Sequence, residues 1–195
     1  MTRPPRHARP RRPSPLRIAA AVTMVIVAGA VAARAETWWP VAGPFIQEGS
    51  GADRIDVDPV WVTVHDVTAA TAVTGTYDDV VDTDGAWLLV DVTFEAQDEP
   101  STVSEVAVRD AAGREFRQSD RVDNPMIGGT LDPGLPERGH VVLEVPADAL
   151  GDLVVVVSPN SPGRLIPRAV AEITIRVDTP ATDPVDLRAR ELVTP

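Results

Sequence analysis

Hydrophobic and polar residues alternate along much of the chain between residues 57 and 178. In the clearest stretch, Ala86 to Glu95, every second residue is apolar and the intervening positions include Asp91 and Thr93. A period of two is typical of a β-strand with one face in a core and the other in solvent. The inward set of this strand is therefore predicted to be Leu88, Val90, Val92 and Phe94.

Other stretches add strands to this one. Leu153–Val157 is a continuous apolar run, which predicts a strand covered on both faces. In Asp110–Gly113 a hairpin turn is predicted, with Gly113 supplying the positive φ. The remaining predicted strands are Val60–His65, Val103–Arg109 (a weaker case), Val141–Val145 and Ala171–Val177, with short edge strands around Val73–Tyr77 and Arg114–Arg117.

Strands separated by Pro, Gly and Asp turns, without a helical stretch of similar strength, predict an all-β fold. We expect an immunoglobulin-like antiparallel β-sandwich of about seven strands over residues 57–178. Residues 36–56, rich in Gly and Pro, are interpreted as a linker. Residues 179–195 are interpreted as a flexible tail.

The N-terminal segment predicts export. Residues 1–17 are rich in Arg and Pro, and no charge occurs from Ile18 to Ala33. Basic residues before the apolar run and an acidic domain after it predict a cytoplasmic N-terminus and an external domain. Residues 18–35 are therefore interpreted as one hydrophobic helix, either a membrane anchor or a signal peptide.

Two interpretations of that helix fit the same residues. Ala33-Arg34-Ala35 matches a signal-peptide cleavage pattern, which would release a secreted protein. Alternatively, a retained helix would place Arg17 and Arg34 at the two membrane interfaces and Trp38 and Trp39 at the outer headgroups. The paired Trp residues favour the single-pass anchor.

Composition and charge exclude several kinds of function. The chain has no Cys, which removes disulfides, thiolate metal sites and cysteine nucleophiles. Seven Arg and no acidic residue precede Glu36, whereas 29 acidic residues and 11 Arg follow from there. A domain this acidic repels phosphate backbones, so nucleic acid is not an expected partner.

Candidate catalytic and metal-binding chemistry is sparse. The domain contains two histidines, His65 and His140, both at outward strand positions and predicted to be solvated. Without a nucleophile motif no enzymatic activity is expected, and two ligands alone do not make a zinc site. The acidic stretch from Asp78 to Asp84 departs from the calcium-loop spacing but leaves weak calcium binding open. No cofactor is expected.

Five residues are candidates for interaction with a partner. An outward Trp61 on a strand face is unfavourable unless something covers it, which would be the linker, an edge of the second sheet or a partner. Arg109, Arg114, Arg117 and Arg121 concentrate positive charge in an acidic domain. They are interpreted either as cross-strand ion-pair partners or as a patch for an anionic partner.

The order of several segments resembles a known family. These are LLVDVTFEA, a strand closing on Arg109-Asp110 with Gly113 and Phe116, then LDPG, then a strand from Gly139 to Glu144-Val145-Pro146. This order resembles the telokin-like, immunoprotective extracellular antigen-like family of exported actinobacterial domains. The resemblance covers about residues 55–178 and implies an immunoglobulin-like sandwich without established enzymatic activity. This chain lacks the lipid-bearing Cys of the lipoprotein members.

The sequence thus predicts a membrane-tethered, non-catalytic module outside the cytoplasm that binds an unknown envelope protein. The alternative is a secreted ligand- or cation-binding protein, released by cleavage near Ala35.

Overall fold

The computed structural model describes residues 23–25, 44–75, 77, 79–160 and 169–194. Of the predicted N-terminal helix, residues 23–25 are described and are helical. The basic tail, the rest of that helix and the Trp38-Trp39 pair lie outside the described residues. Within the ranges described, no helix combines the length and apolarity needed to cross a membrane.

Twelve strands form within the described ranges. In chain order they are β1 (Phe45–Ser50), β2 (Arg54–Asp56), β3 (Val60–Thr74), β4 (Val80–Ala96), β5 (Ser101–Asp110), β6 (Glu115–Arg117), β7 (Thr130–Leu131), β8 (Glu137–Val145), β9 (Gly151–Pro159), β10 (Ala169–Val177), β11 (Val185–Asp186) and β12 (Glu191–Leu192). A short 3₁₀ turn, Ala147–Ala149, lies between β8 and β9.

These strands form two sheets. Sheet A has the order β1-β10-β9-β5-β6, and β7 also pairs with β5. Sheet B has the order β11-β3-β4-β8-β12, and β2 also pairs with β3. The pairs β1–β10 and β11–β3 are parallel and the other pairs antiparallel. The predicted all-β sandwich is confirmed, but the prediction of about seven antiparallel strands was too simple, because twelve strands are described and two of their pairs are parallel.

The main core lies between the inner faces of the two sheets. In β4 the predicted inward residues Leu88, Val90, Val92 and Phe94 are all buried. Burying each of these side chains stabilises the fold by about 1.5–3 kcal/mol, so alternation in the sequence directly determines which face is inside. At the β5–β6 turn, Gly113 has φ +80° and its N–H donates to the Asp110 carbonyl at 2.9 Å, as predicted.

The prediction for β9 was wrong in one respect. Leu153, Val155 and Val157 are buried, whereas Val154 and Val156 on the other face are only half-buried. On the outer face of this strand Val156 lies between Ala107 of β5 and Glu172 of β10. The apolar run thus has one buried and one half-buried face.

Two segments differ from their predicted roles because they pair with distant strands. The described part of the predicted linker contains β1 and β2, which pair with β10 and β3. The predicted flexible tail contains β11 and β12, which pair with β3 and β8. Both ends of the domain are thus held by strands far away in sequence.

A second apolar cluster lies on the outer face of sheet B. It contains fully buried Trp87 together with Leu89 and Val142, and Val185 and Leu187 of the C-terminal segment pack against it. We call residues 181–194 the C-terminal strap. Sheet B is therefore covered on part of its outer face.

Candidate functional site

Four outward side chains form one row across sheet B. The strand register pairs Arg54 with Thr63, Thr63 with Thr93, and Thr93 with Arg138. Residues directly opposite each other on neighbouring strands project from the same face. Two short threonines therefore lie between two long arginines, and the surface is recessed in the middle of the row.

This recess is a groove of about 310 Å³. Thr63, Thr93 and His65 line it together with the two arginines of the row, and Trp61 lies among its lining residues. The remaining lining residues are Glu95, Pro136, Val193 and Thr194, the last two from the C-terminal strap. We call this cavity the Trp61 groove.

Trp61, predicted to interact with a covering group, is half-buried in the structure. The Arg54 guanidinium lies 4.6 Å from the centroid of its ring, which is cation–π geometry. Arg54 Nη2 also pairs with Glu95 Oε2 at 2.9 Å. Residues of the predicted linker thus contribute the cover, and the indole remains part of the groove wall.

His65 lies in the groove, hydrogen bonded through Nε2 to Thr93 Oγ1 at 2.8 Å. Partial burial lowers the pKa of His65, and the charges of Arg138 and Arg188 lower it further against the opposing charge of Asp91. A hydroxyl beside a neutral imidazole resembles the first two members of a catalytic triad. Among the described residues, however, no carboxylate is hydrogen bonded to His65 to orient its ring.

Asp91 lies beneath the arginines and is only 8% exposed. Its carboxylate accepts two hydrogen bonds from Arg138, from Nε at 2.9 Å and Nη2 at 2.7 Å, and one from Arg188 Nη1 at 2.8 Å. Burial alone would raise the pKa of Asp91, but hydrogen bonding from Arg138 and the charges of Arg138, Arg188 and His140 lower it. The carboxylate therefore stays ionised and fixes both guanidinium groups.

His140 joins sheet B to the strap. Its ring Nδ1 accepts a hydrogen bond from the Arg188 backbone N–H at 3.0 Å, and its own backbone N–H donates to the Arg188 carbonyl at 3.2 Å. Burial lowers the pKa of His140, and Arg188 and Arg138 lower it further against Asp91 and Asp66. The predicted solvated histidine is instead half-buried and holds the strap.

The four arginines singled out in the sequence have partners within the domain. Each of their guanidinium groups lies beside a carboxylate, in cross-strand or turn pairs. The pairs are Arg109–Glu172 at 2.5 Å, Arg114–Asp110 at 2.6 Å, Arg117–Glu105 at 3.3 Å and Arg121–Glu144 at 2.5 Å. None of the four lines the Trp61 groove.

The acidic stretch from Asp78 to Asp84 lies at the start of β4, away from the groove. Asp82 and Asp84 are exposed, and Asp78 lies outside the described residues. Within the described part of the chain, no three carboxylate or imidazole groups are placed to hold a metal ion. The calcium hypothesis thus remains a prediction.

Sequence reasoning did not identify Arg54, Arg138 and Arg188 as site residues. Arg138 could have been found, because it lies one residue before the predicted Gly139-led strand and continues its outward positions. Arg54 and Arg188 carry no such signal. They lie in segments without a period, and only their pairing with distant strands brings them to the site.

No protein-family model and no curated protein matches the sequence. Two solved structures are similar to it. An uncharacterized β-sandwich protein from Clostridium difficile 630 is 10% identical, covering 68% of this chain and 96% of its own, with a TM-score of 0.46. MPT63, a secreted protein from Mycobacterium tuberculosis, is 20% identical, covering 67% and 98%, also with a TM-score of 0.46. Neither likeness bears on the ligand or location of this chain.

Proposed function

We propose that this chain is an exported, non-catalytic binding protein whose ligand lies in the Trp61 groove. The groove carries the proposal, because it brings an aromatic wall, apolar contacts from Pro136 and Val193, and polar groups on its floor into one recess. Ligand sites are typically concave, with mainly apolar walls and a few polar groups that orient the ligand. A volume of about 310 Å³ suits a small molecule or a short peptide segment.

The charges around the groove favour a ligand with a carboxylate group. The groove is lined by two positive side chains, Arg54 and Arg138, and by one negative side chain, Glu95. The chain as a whole has a net charge of −11. An anionic group would therefore meet less repulsion here than elsewhere on the domain.

The absence of catalysis is part of the proposal. The Thr93–His65 pair is the arrangement closest to a nucleophile and base, but its histidine has no carboxylate orienter among the described residues. Nucleic acid is not proposed as a partner, because the domain is strongly acidic.

Export is supported by the sequence of residues 1–35. Cleavage near Ala35 would release a secreted binding protein, whereas retention of the helix would tether the groove to the membrane beside envelope proteins. Of the two forms, we propose the secreted one first. We also propose that the chain belongs to the telokin-like family. The mass of the mature protein and its fractionation separate these forms: a soluble product beginning at Glu36 supports secretion, and an intact N-terminus in the membrane pellet supports the anchor.

The groove is tested on the full chain in a mild detergent, by NMR of the Trp61 indole N–H, which the Trp61→Phe variant assigns. Succinate, a trialanine peptide and maltotriose are added as separate probes. We expect the two carboxylate-bearing probes to shift this resonance, and Arg54→Gln to weaken the shift several-fold. Thr174→Ala on the outer face of sheet A is the matched control. The proposal fails if no probe shifts Trp61, or if Arg54→Gln behaves like Thr174→Ala.

A further inference from the structure

The C-terminal strap forms one side of the Trp61 groove. Its first part is held by Ala181, whose N–H donates to the Ala69 carbonyl at 2.7 Å. Near its end, the Val193 N–H donates to the Pro136 carbonyl at 2.9 Å, which places Val193 and Thr194 at the groove. Displacement of residues 188–194 would therefore remove part of the groove lining.

One hydrogen bond in the middle of the strap depends on the protonation state of the His140 ring. The Arg188 N–H donates to Nδ1 of His140 at 3.0 Å. This bond requires an unprotonated Nδ1, and a protonated imidazole carries a hydrogen on both nitrogens. Protonation would place two N–H donors against each other and leave the Arg188 N–H without its acceptor.

The charged groups around His140 come from every element near it. Asp66 of β3 and Asp91 of β4 favour a charged ring, whereas Arg138 of β8 and Arg188 of the strap disfavour it. Asp91 is already hydrogen bonded to both guanidinium groups. The negative charge of Asp91 is therefore largely balanced by the two arginines. It would stabilise a protonated His140 ring only weakly while the strap is closed.

We propose that residues 188–194 are a pH-sensitive closure of the groove, held shut by neutral His140 and released when His140 is protonated. The effect on a bound ligand rests on the proposed function, whereas the movement of the strap does not. The first part of the strap stays in place, because β11 and the Ala181 hydrogen bond hold it before Arg188. Release of residues 188–194 must also overcome the pairing of β12 with β8 and the Arg190–Glu137 ion pair.

The direction of the effect follows from linkage between proton binding and opening. His140 binds a proton more weakly in the closed form, where burial lowers its pKa, than in an open form that exposes it to water. Acid therefore favours the open form. With an ordinary pKa of about 6.5 in the open form, the open-to-closed ratio rises by up to about 30-fold between about pH 8 and about pH 5.

Amide hydrogen exchange on the full chain in a mild detergent, without ligand, tests this directly. Protection factors are compared at about pH 8 and about pH 5, after correction for intrinsic exchange. We expect the Arg188 and Val193 amides to lose protection at the lower pH, by no more than about 30-fold. The Ala181 amide, at the start of the strap, is the internal reference and should change little.

Two variants identify the responsible group. His140→Asn keeps a hydrogen-bond acceptor near the position of Nδ1 but does not titrate, so its strap should remain protected at both pH values. His65→Gln is the matched control, because His65 lies on the same face and also titrates, and among the described residues its ring bonds to Thr93 and not to the strap. Its strap should keep the pH response of the unaltered chain.

The proposal is overturned if the unaltered strap is equally protected at both pH values, if His140→Asn responds like the unaltered chain, or if His65→Gln abolishes the response. Because no ligand is present, these outcomes do not depend on the groove being a binding site. A responding strap with an unresponsive Trp61 resonance would instead reject the proposed function alone. If the strap responds to pH and the groove also binds the carboxylate probes, succinate should bind more weakly at about pH 5 than at about pH 8.

Discussion

Arg138 donates two parallel hydrogen bonds to Asp91, from Nε at 2.9 Å and Nη2 at 2.7 Å, on a sheet face that the C-terminal strap covers. A bidentate pair of this kind fixes both side chains and is stronger than a single charged contact. Because Arg188 donates to the same carboxylate, Asp91 also fixes the strap to the sheet.

Asp91→Asn is expected to lower the free energy of unfolding by about 2 kcal/mol, because a neutral amide leaves two guanidinium groups poorly paired. Urea denaturation measures the change. The matched control is Asp152→Asn, which breaks an exposed pair with Arg176 at 2.8 Å and should change stability by less than about 0.5 kcal/mol. Equal losses in the two variants would contradict this role of Asp91.

Stability should fall on mild acidification. The pKa values of His65 and His140 are both lowered in the folded chain, first of all by burial, so the unfolded chain binds more protons. The contribution of these two histidines to the free energy of unfolding is fully present above about pH 6.5 and is lost as the pH falls below that value. Urea denaturation at about pH 7.5 and about pH 5 should show this loss, and the double variant His65→Gln, His140→Asn should lack most of it. An equal loss in the double variant would assign the effect to other groups.

The same substitution should have unequal effects at two tryptophans. Trp87 has no exposed surface, its Nε1–H donates to the Val81 carbonyl at 3.0 Å, and the Arg121 guanidinium lies 5.3 Å from its ring centroid. Trp87→Phe should cost about 2 kcal/mol, because it opens a space and removes that donor. Trp61→Phe, at a half-buried position, should cost less than about 1 kcal/mol by urea denaturation. The reverse order would contradict the packing of the second cluster.

Two uncrowded glycines, Gly113 and Gly51, allow backbone strain to be measured without steric crowding. An added Cβ would have no atom within 4 Å at either Gly113 or Gly51, but only Gly113 has a positive φ, +80°. Gly113→Ala should therefore destabilise the fold by about 1 kcal/mol, and Gly113→Asn by less, since Asn tolerates this conformation better. Gly51→Ala should be neutral or slightly stabilising. The thermal midpoints of the three variants rank them, and similar values for Gly113→Ala and Gly51→Ala would exclude strain at the turn.

The sandwich could be predicted from the sequence because its inner strands carry their own signal. In β4 the alternation from Leu88 to Phe94 records which side chains face the core, and this depends only on local geometry. Burial of outward residues carries no comparable signal. Asp91 occupies a position that alternation assigns to solvent, yet a segment almost 100 residues further along the chain covers it.

The site could be predicted only in part for the same reason. Trp61 was singled out because an outward Trp on a strand face is unfavourable unless something covers it, and it does line the groove. His65, which was predicted to be solvated, lines the same groove. Arg188 is bound to the site by one ion pair and two backbone contacts, and nothing in the residues around it indicates a strand. Contacts that close a long loop leave no periodic pattern in either of the segments they join.

The parallel pairing of β1 with β10 affects the order in which this domain can be assembled. Residues 45–50 find their partners only at residues 169–174, and Glu191–Leu192 closes the opposite sheet against β8. A chain emerging from its N-terminus can form the β3–β4 hairpin early, but the outer strands must wait until nearly all of it is available. Truncation before residue 169 would therefore leave β1 and the edge of β8 unpaired together, and it is the pairing with β10 and β12 that protects both edges from association with other chains.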